Sequence, residues 1–300
     1  MGAHPVSLII VSRHRIAALQ RAVTAIGQQD HPAVELIVVA DPKACDALAG
    51  LGLRAKIIPF DQANIAVARN LGLTRAAGQV VAFIDDDAVP EPTWLSRLVA
   101  PFVDPMVVAA TGFVRGRNGI SFQWRACEVD ACGFDHPLDV GDTVSLHAGN
   151  QQRAVKTHGT NCAFRRDALL AAGGFDAGFR FYLDEADVNL RMASAGLTAV
   201  VPLAQVHHGF AASARRRADR VPLSMYENGA SSMVFLRRHA AKMDWPAACA
   251  RLRTEQRHRL LRLMVSGGIE PRDLPRLMQT LDAGLIDGAL RALVTLPPLA

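Results

Sequence analysis

Gly78-Gln-Val-Val-Ala-Phe-Ile-Asp-Asp-Asp87 decides the reading of this chain. Gln79 to Ile84 is a short apolar run without polar alternation, the pattern of a strand buried on both faces. It stops abruptly on three carboxylates. Three adjacent acids at a strand end repel one another unless a cation or donor groups compensate them. Asp85 and Asp87, two residues apart in extended chain, point to one side and are spaced to share a divalent metal. Mg²⁺ characteristically takes one or two protein carboxylates together with substrate phosphates. A solvated acidic turn is the competing reading, and the buried run before it and Pro90 and Pro92 after it weigh against that.

Upstream, Val6 to Val11, Glu35 to Val39 and Ala55 to Pro59 are further strand-like runs. Helical spacing fills Ile16 to Ile26 and Ile65 to Ala76 between them. Such alternation predicts an α/β fold with a mostly parallel, Rossmann-like sheet covered by helices on both faces. In these sheets ligands bind beyond the carboxyl ends of the strands. Ser12, Asp41 and Asp85 to Asp87 all fall there. Downstream, Val107 to Val114 reads as a strand and Arg115 to Asp142 as loop with short elements. Asp167 to Ala172 and Asp184 to Ala195 read as helices, the second closed by Gly196. From Tyr226 onward the pattern is helical with Arg-rich faces, broken at Gly267-Gly268 and Pro271.

Composition excludes several classes. The chain has 300 residues, half of them hydrophobic and a fifth charged, which supports a folded core and rules out disorder. Its five cysteines include no C-x-x-C pair, which argues against a structural zinc site and suits a reducing compartment. The formal net charge of +5 is unevenly placed. Residues 214–300 hold 15 basic and 8 acidic residues, and residues 1–213 hold 18 and 20. A uniformly basic nucleic-acid binder is not distributed this way, so no nucleic-acid partner is expected. The longest uncharged stretch, Met192 to Ala214, contains Pro202, Gln205, His207 and His208 and is ill suited to span a bilayer. A soluble, cytoplasmic protein is the expectation.

Other motifs are weaker alone. The first βα turn, Ser12-Arg-His-Arg15, lacks the glycines of a dinucleotide site, and no phosphate-cradling Gly-Lys-Ser/Thr loop occurs. Asp41 ends a strand, where it could accept from a nucleobase or ribose or simply form a turn before Pro42. In Asp184-Glu-Ala-Asp-Val-Asn-Leu-Arg191, Asp187 and Arg191 form an i,i+4 pair and Asp184 is placed to cap the helix. Glu185 escapes both roles and could serve as a general base. His207-His208, at a strand end, has metal ligand, phosphate donor and plain surface residue as open readings.

Together these residues resemble the family-two nucleotide-sugar glycosyltransferases, which have the GT-A fold. The likeness runs from Val6 to about Gly209. It rests on Val6-Ser-Leu-Ile-Ile-Val-Ser-Arg-His-Arg15, Gln28-Gln-Asp-His-Pro32, Glu35 to Asp41, Ala68-Arg-Asn-Leu-Gly72 and Gly78 to Asp87. Gly159 to Arg166, Gly173-Gly-Phe-Asp176, the Asp184–Arg191 cluster and Val206-His-His208 continue it. The resemblance implies that Asp41, with Ser12 nearby, contacts the donor base and that Arg69 and Asn70 line the nucleotide pocket. It implies a D-x-D pair in Asp85 and Asp87, with Asp87 the direct ligand of Mg²⁺ or Mn²⁺, Asp86 near the ribose, and His208 near the metal or diphosphate. It places the catalytic acid at Glu185, with Asp184 where the family usually has Glu, so the two acids are exchanged in order.

The implied activity is a metal-dependent, inverting, non-processive transfer from a nucleotide sugar to a sugar or lipid-linked acceptor. Processive relatives carry Q-x-x-R-W, and Gln123-Trp-Arg125 is not that motif. Phe122, Trp124, Phe134 and His136 could face the acceptor or be core. A sugar nucleotidyltransferase and a degenerate, non-catalytic sugar-binding protein stand as alternatives. The expected organisation is a transferase domain over 1–213, with a nucleotide half to about 104 and an acceptor half over 105–213. A basic helical extension covers 214–300. Its Arg215 to Arg217, Arg220, Arg237 and Arg238 could meet phosphates, an acidic acceptor or the inner membrane surface, or form a solvated face.

Overall fold

The computed structural model describes residues 4–299. The first half alternates β1 (Val6–Ser12), α1 (Ile16–Ile26), β2 (Val34–Ala40), α2 (Pro42–Ala49), β3 (Ala55–Pro59), α3 (Ile65–Leu73), β4 (Val80–Asp85), β5 (Ala88–Pro90) and α4 (Trp94–Val99). Then come β6 (Val107–Arg115), β7 (Phe122–Trp124), β8 (Cys127–Asp130), β9 (Asp135–Pro137), β10 (Ser145–Ala148), β11 (Arg153–Val155), β12 (Cys162–Arg165) and α5 (Arg166–Ala171). Last are α6 (Asp184–Met192), β13 (Leu197–His208), α7 (Tyr226–His239), α8 (Trp245–Val265) and α9 (Asp273–Leu290).

Among the described residues the main sheet runs β10-β13-β6-β12-β4-β1-β2-β3, with β5 paired to β13 and β7 to β6. β3, β2, β1 and β4 are mutually parallel, while β12 lies antiparallel between β4 and β6. β8, β9 and β11 form a small separate sheet. The unbroken apolar runs arise because both faces of the sheet are covered. Leu8, Ile10, Val80, Ala82 and Ile84 pack with residues of α1, α2 and α4 on one face. Ile9, Ile37, Val81 and Phe83 pack with α3, α5 and α6 on the other. Neighbouring residues thus feed opposite cores, as the two-residue period of a strand requires.

The expected helix from Ile65 to Ala76 ends at Leu73, and the one from Asp184 to Ala195 ends at Met192. Both extrapolated the apolar spacing past the last helical turn. The C-terminal helices dock on the rest. Val234 and Phe235 of α7 share a buried cluster with Phe179, Leu183 and Leu190, which flank or belong to α6. α8 and α9 close a further cluster with Val221 and Phe134. Among the described residues no helix is long and apolar enough to cross a membrane.

Candidate active site

The carboxyl ends of β1, β2 and β4 bring Ser12, Asp41 and Asp85–Asp87 together with the end of β13. Antiparallel pairing of β13 with β5 sets His208 opposite Ala88, next to Asp87. Asp85, Asp87 and His208 each offer one ligand atom within 4.8 Å of the others, a group able to hold a metal ion. His208 Nε2 lies 3.3 Å from Asp87 Oδ1, yet among the described residues neither buried atom has a hydrogen-bond partner. On the other ring edge His208 Nδ1 lies 2.8 Å from Gln123 Oε1. With that amide oxygen accepting, Nδ1 carries the proton and Nε2 keeps its lone pair. Metal-binding histidines are held in this way by an outer hydrogen bond. Two unpartnered acceptors facing each other fit a cation between them.

Arginines neutralise the rest of the acid triplet. Asp86 is fully buried, accepting from Ser12 Oγ at 2.6 Å and pairing with Arg15 at 2.5 Å. Burial pushes its carboxyl up to about 7 despite Arg15 and Ser12. Burial alone would also raise Asp87. Arg15 beside it, with the Ala211 N–H donating at 2.7 Å, holds it below the usual carboxylate range instead. Arg216 reaches Asp87 from the segment after β13, 3.5 Å away. Asp41 is buried, caps α2 through Ala44 N–H and accepts from His14 N–H at 2.7 Å. These N–H bonds outweigh burial and lower its carboxyl.

A second acidic group stands beside the first. Arg69, buried on α3, pairs with Asp184, lies 3.7 Å from Glu185 and 4.0 Å from Asp85, and donates to Gly159 O at 3.3 Å. Gly159 leaves room for these side chains. A Cβ would meet Arg69 Nη2 at 2.3 Å and Glu185 Oε1 at 3.0 Å. The expected capping role of Asp184 is overturned. Asp184 is the first helical residue, Leu183 holds the cap position, and no side chain caps the helix. The long-range demand of buried Arg69 for a carboxylate wins over the local cap. Tyr182 and Leu183 take left-handed backbone, φ 75° and 65°, to aim the helix start at Arg69.

One guanidinium thus serves two neighbouring acids. Side-chain exposure separates them, 3% for Asp184 against 19% for Glu185. Burial drives Asp184 well above the carboxylate range, whereas Arg69 and Asp184 hold Glu185 low against its own burial. Glu185 also accepts from Gly159 N–H at 3.1 Å. It is the more exposed carboxylate of the pair and the one its surroundings hold low.

Behind it, α6 is held by the C-terminal helices. Asp187 is fully buried, paired with Arg191 at 2.7 Å and with His239 of α7 at 2.8 Å, and 3.7 Å from Arg238.

The remaining expected residues divide. Asn70 stands apart from the acidic groups, its amide exchanging hydrogen bonds with the backbone of Phe175. Trp124, 38% exposed, stacks on His158 with centroids 5.1 Å apart and lies 5.7 Å from His208. Phe122 packs edge-on to Phe113. Phe134 and His136 turn elsewhere, Phe134 under Arg251 of α8 and His136 onto Asp130. Arg237 and Arg238 are not free to meet phosphates. Arg237 donates to the carbonyls of Gly288 and Arg291, and Arg238 to Asp176 and the Val294 carbonyl. Sequence reasoning missed Arg15, Gln123 and Gly159. The basic first turn was the one signal for Arg15, Gly159 showed only as the start of a stretch shared with the family, and nothing local gave Gln123 a role.

Comparison with known proteins gives a consistent setting. The family model described as "Glycosyl transferase family 2" matches residues 7–171. The glucosyl-dolichyl phosphate glucuronosyltransferase of Haloferax volcanii is 26% identical over 172 residues, 55% of this chain and 53% of that protein. The pre-mycofactocin glycosyltransferase of Mycobacterium tuberculosis is 28% identical over 181 residues, 57% of this chain and 35% of that one. The matches thus span about half or less of these relatives' lengths. Among solved structures, a mannosyltransferase from Pyrobaculum calidifontis in complex with GDP-Man and Mn²⁺ superposes with a TM-score of 0.55 at 18% identity. That match covers 95% of this chain and 87% of the other. This likeness shows the fold, the mixed and mostly parallel sheet with flanking helices of the GT-A type.

Proposed function

This chain belongs to glycosyl transferase family 2, and on that premise we propose that it moves a sugar from a nucleoside-diphosphate sugar to an acceptor hydroxyl. The reaction is metal-dependent, inverts the anomeric carbon and adds one sugar per encounter. The observation that carries the reading is the pair of partnerless acceptors, Asp87 Oδ1 and His208 Nε2, 3.3 Å apart at the strand ends.

Asp87, His208 and Asp85 would hold the cation, Mg²⁺ or Mn²⁺. When bound, it supplies positive charge to the departing diphosphate. The Mn²⁺ in the related mannosyltransferase complex supports this choice. Ser12 and Asp41, at the ends of β1 and β2, take the nucleoside side, and Asp86 is fixed there by Ser12 and Arg15. Arg69 tunes the acidic pair and ties it to Asp85, while Asn70 anchors α3 to the Phe175 backbone.

Glu185 is the general base. Its ionised carboxylate takes the proton from the acceptor hydroxyl as that oxygen attacks the anomeric carbon. The bond from that carbon to the diphosphate oxygen breaks with its electron pair leaving on the diphosphate. Asp184, kept neutral more readily by burial, positions Arg69. Trp124, with its exposed face near His208, offers a flat apolar surface to a sugar ring.

Residues 1–213 form the transferase unit in this reading, with the nucleotide half to about 104 and the acceptor half from 105. Helix α7 braces α6, and the extension over 214–300 takes part in acceptor binding. The acceptor is a sugar or a lipid-linked sugar. Five cysteines kept as free thiols suit the cytoplasm as the compartment.

A screen of UDP- and GDP-sugars tests the reading. One donor is expected to bind only with Mn²⁺ or Mg²⁺ and to be slowly hydrolysed without acceptor. Binding of no nucleotide sugar under any metal condition would overturn the proposal. Binding without turnover would favour a non-catalytic sugar-binding protein.

A further inference from the structure

The segment after α9 returns to the transferase unit. Residues 292–295, Pro297 and Pro298 are exposed, but Leu296 and Leu299 are half-buried. The Leu299 N–H donates to the Leu170 carbonyl at 2.9 Å, and its side chain packs on the buried cluster that contains Phe83 and Phe175. Nearer α9, Arg237 donates to the Arg291 carbonyl at 2.6 Å and Arg238 to that of Val294 at 3.1 Å. The segment docks where Gly173 and Gly174 both take left-handed backbone, φ 81° and 65°. A Cβ on Gly173 would meet Leu296 Cβ at 2.8 Å. One on Gly174 would fall within 2.5 Å of both Leu299 Cδ1 and Asn70 Oδ1. Pro297 and Pro298 restrict the backbone between the two leucines, so less entropy is lost when they dock.

This docking point lies directly behind Arg69. Asn70 exchanges hydrogen bonds of 2.7 and 2.9 Å with the backbone of Phe175, the residue after Gly174. The fully buried Phe175 ring lies 5.3 Å from the Arg69 guanidinium. Phe83, edge-on to Phe175 at 5.2 Å, lies 5.8 Å from the same group. Arg69 thus has two aromatic rings behind it and Asp184, Glu185 and Asp85 before it. Ring faces attract a guanidinium and restrict where it can point. The Gly174 carbonyl also accepts from Arg191 of α6 at 2.6 Å. One short turn therefore joins α3, α6 and the segment after α9.

Resting on the transferase reading above, we propose that Leu299 is a positioning residue for the transfer. By closing the outside of the Gly174–Phe175 turn it fixes the Phe175 ring, and through that ring the Arg69 guanidinium that aligns Glu185. Leu299 touches no substrate and lies outside the residues that the family model matches. Plain apolar cover would need only the buried cluster. Here the leucine meets the two groups, Gly174 and Asn70, that hold the Phe175 backbone in place.

The test uses the full chain as Leu299→Ala, Leu299→Met, Arg69→Lys and the double variant Leu299→Ala, Arg69→Lys. Val99→Ala, a core loss on the opposite face of the sheet, controls for stability alone. Turnover and Mn²⁺-dependent binding are measured over a panel of UDP- and GDP-sugars, and stability by urea unfolding. Leu299→Ala is expected to lower turnover by about tenfold with donor affinity unchanged, because small misplacements of a catalytic group are costly. Leu299→Met should restore turnover, and Val99→Ala should lower stability and leave turnover unchanged. In the Arg69→Lys background Leu299→Ala should cause no further loss of turnover, and the two stability losses should sum to more than that of the double variant. Should Leu299→Ala fail to fold, Leu299→Val completes the same cycle. Parental turnover in the folded Leu299 variant, turnover losses that multiply with Arg69→Lys, or strictly additive stability losses would overturn the inference. Coupled stability losses in a parent that binds no nucleotide sugar would leave the hold on Arg69 standing and remove the transferase reading.

Discussion

His208 Nε2 and Asp87 Oδ1 meet at 3.3 Å although they belong to distant parts of the chain, and each lacks a hydrogen-bond partner. The contact exists because β5 turns back from the acid triplet and pairs with the end of β13. Its outer support is Gln123, which fixes the ring through Nδ1. Gln123→Met should therefore weaken Mn²⁺ affinity by about 10–100-fold without unfolding the protein. Calorimetric titration of Mn²⁺ in the presence of nucleotide measures it. Unchanged affinity would mean that His208 is not held for a metal.

Arg69 keeps Glu185 ionised. Replacing it with Met leaves two buried acids without their cation, which should cost about 3–5 kcal/mol of stability. The Glu185 carboxyl should rise, moving the acid limb of the pH–rate profile to higher pH. Arg69→Lys, which keeps the charge, should restore part of both. A profile that stays in place in a folded Met variant would separate Arg69 from the base.

Asp187 links α6 to the C-terminal helices. Burial would raise its carboxyl, but Arg191 and His239 hold it below the usual range. A depressed carboxyl contributes stability that is present above its unfolded value, about 3.9, and is lost as pH falls through the folded value. The stability gap between the parent and Asp187→Asn should be about 3–5 kcal/mol near neutrality and shrink below about pH 4. Urea unfolding from pH 3 to 7 reads the difference. A gap independent of pH would show that the ion pairs are not its source.

Helices α7 and α9 approach through glycine. A Cβ on Gly284 would sit 1.9 Å from the Tyr226 carbonyl oxygen, and one on Gly229 2.2 Å from that of Leu281. Gly284→Ala should force the helices apart and cost about 1–3 kcal/mol. Hydrogen exchange should rise in α7 and α9 before it rises in β1 or β4. Unaltered exchange would mean that the packing yields more easily than backbone contact allows.

Much of the sheet was legible because its strands are short apolar runs feeding cores on both faces, as Ile9 and Ile10 do in β1. The acid triplet was legible because carboxylates at the end of such a strand are costly without compensation. The connections across the chain were not. Asp184 looked like a helix cap, since sequence shows the nearby backbone and not a buried arginine arriving from α3. Asn70 adjoins Arg69 in sequence but turns to Phe175, because successive residues of a helix point in different directions. Arg238 looked like a free surface charge until the fold brought Asp176 to it. Arg15 showed only as part of a basic turn, and its pairing with Asp86 needed β1 and β4 side by side.

The central claim is that one acidic group holds the metal and the other takes the proton. Asp87→Asn and Glu185→Gln, each measured for Mn²⁺-dependent donor binding and for transfer rate, test it directly. Asp87→Asn should lose metal-dependent binding. Glu185→Gln should bind donor as the parent does and lose about 10²–10⁴-fold in turnover. Transfer at the parental rate by Glu185→Gln, or undiminished Mn²⁺-dependent binding by Asp87→Asn, would contradict the account.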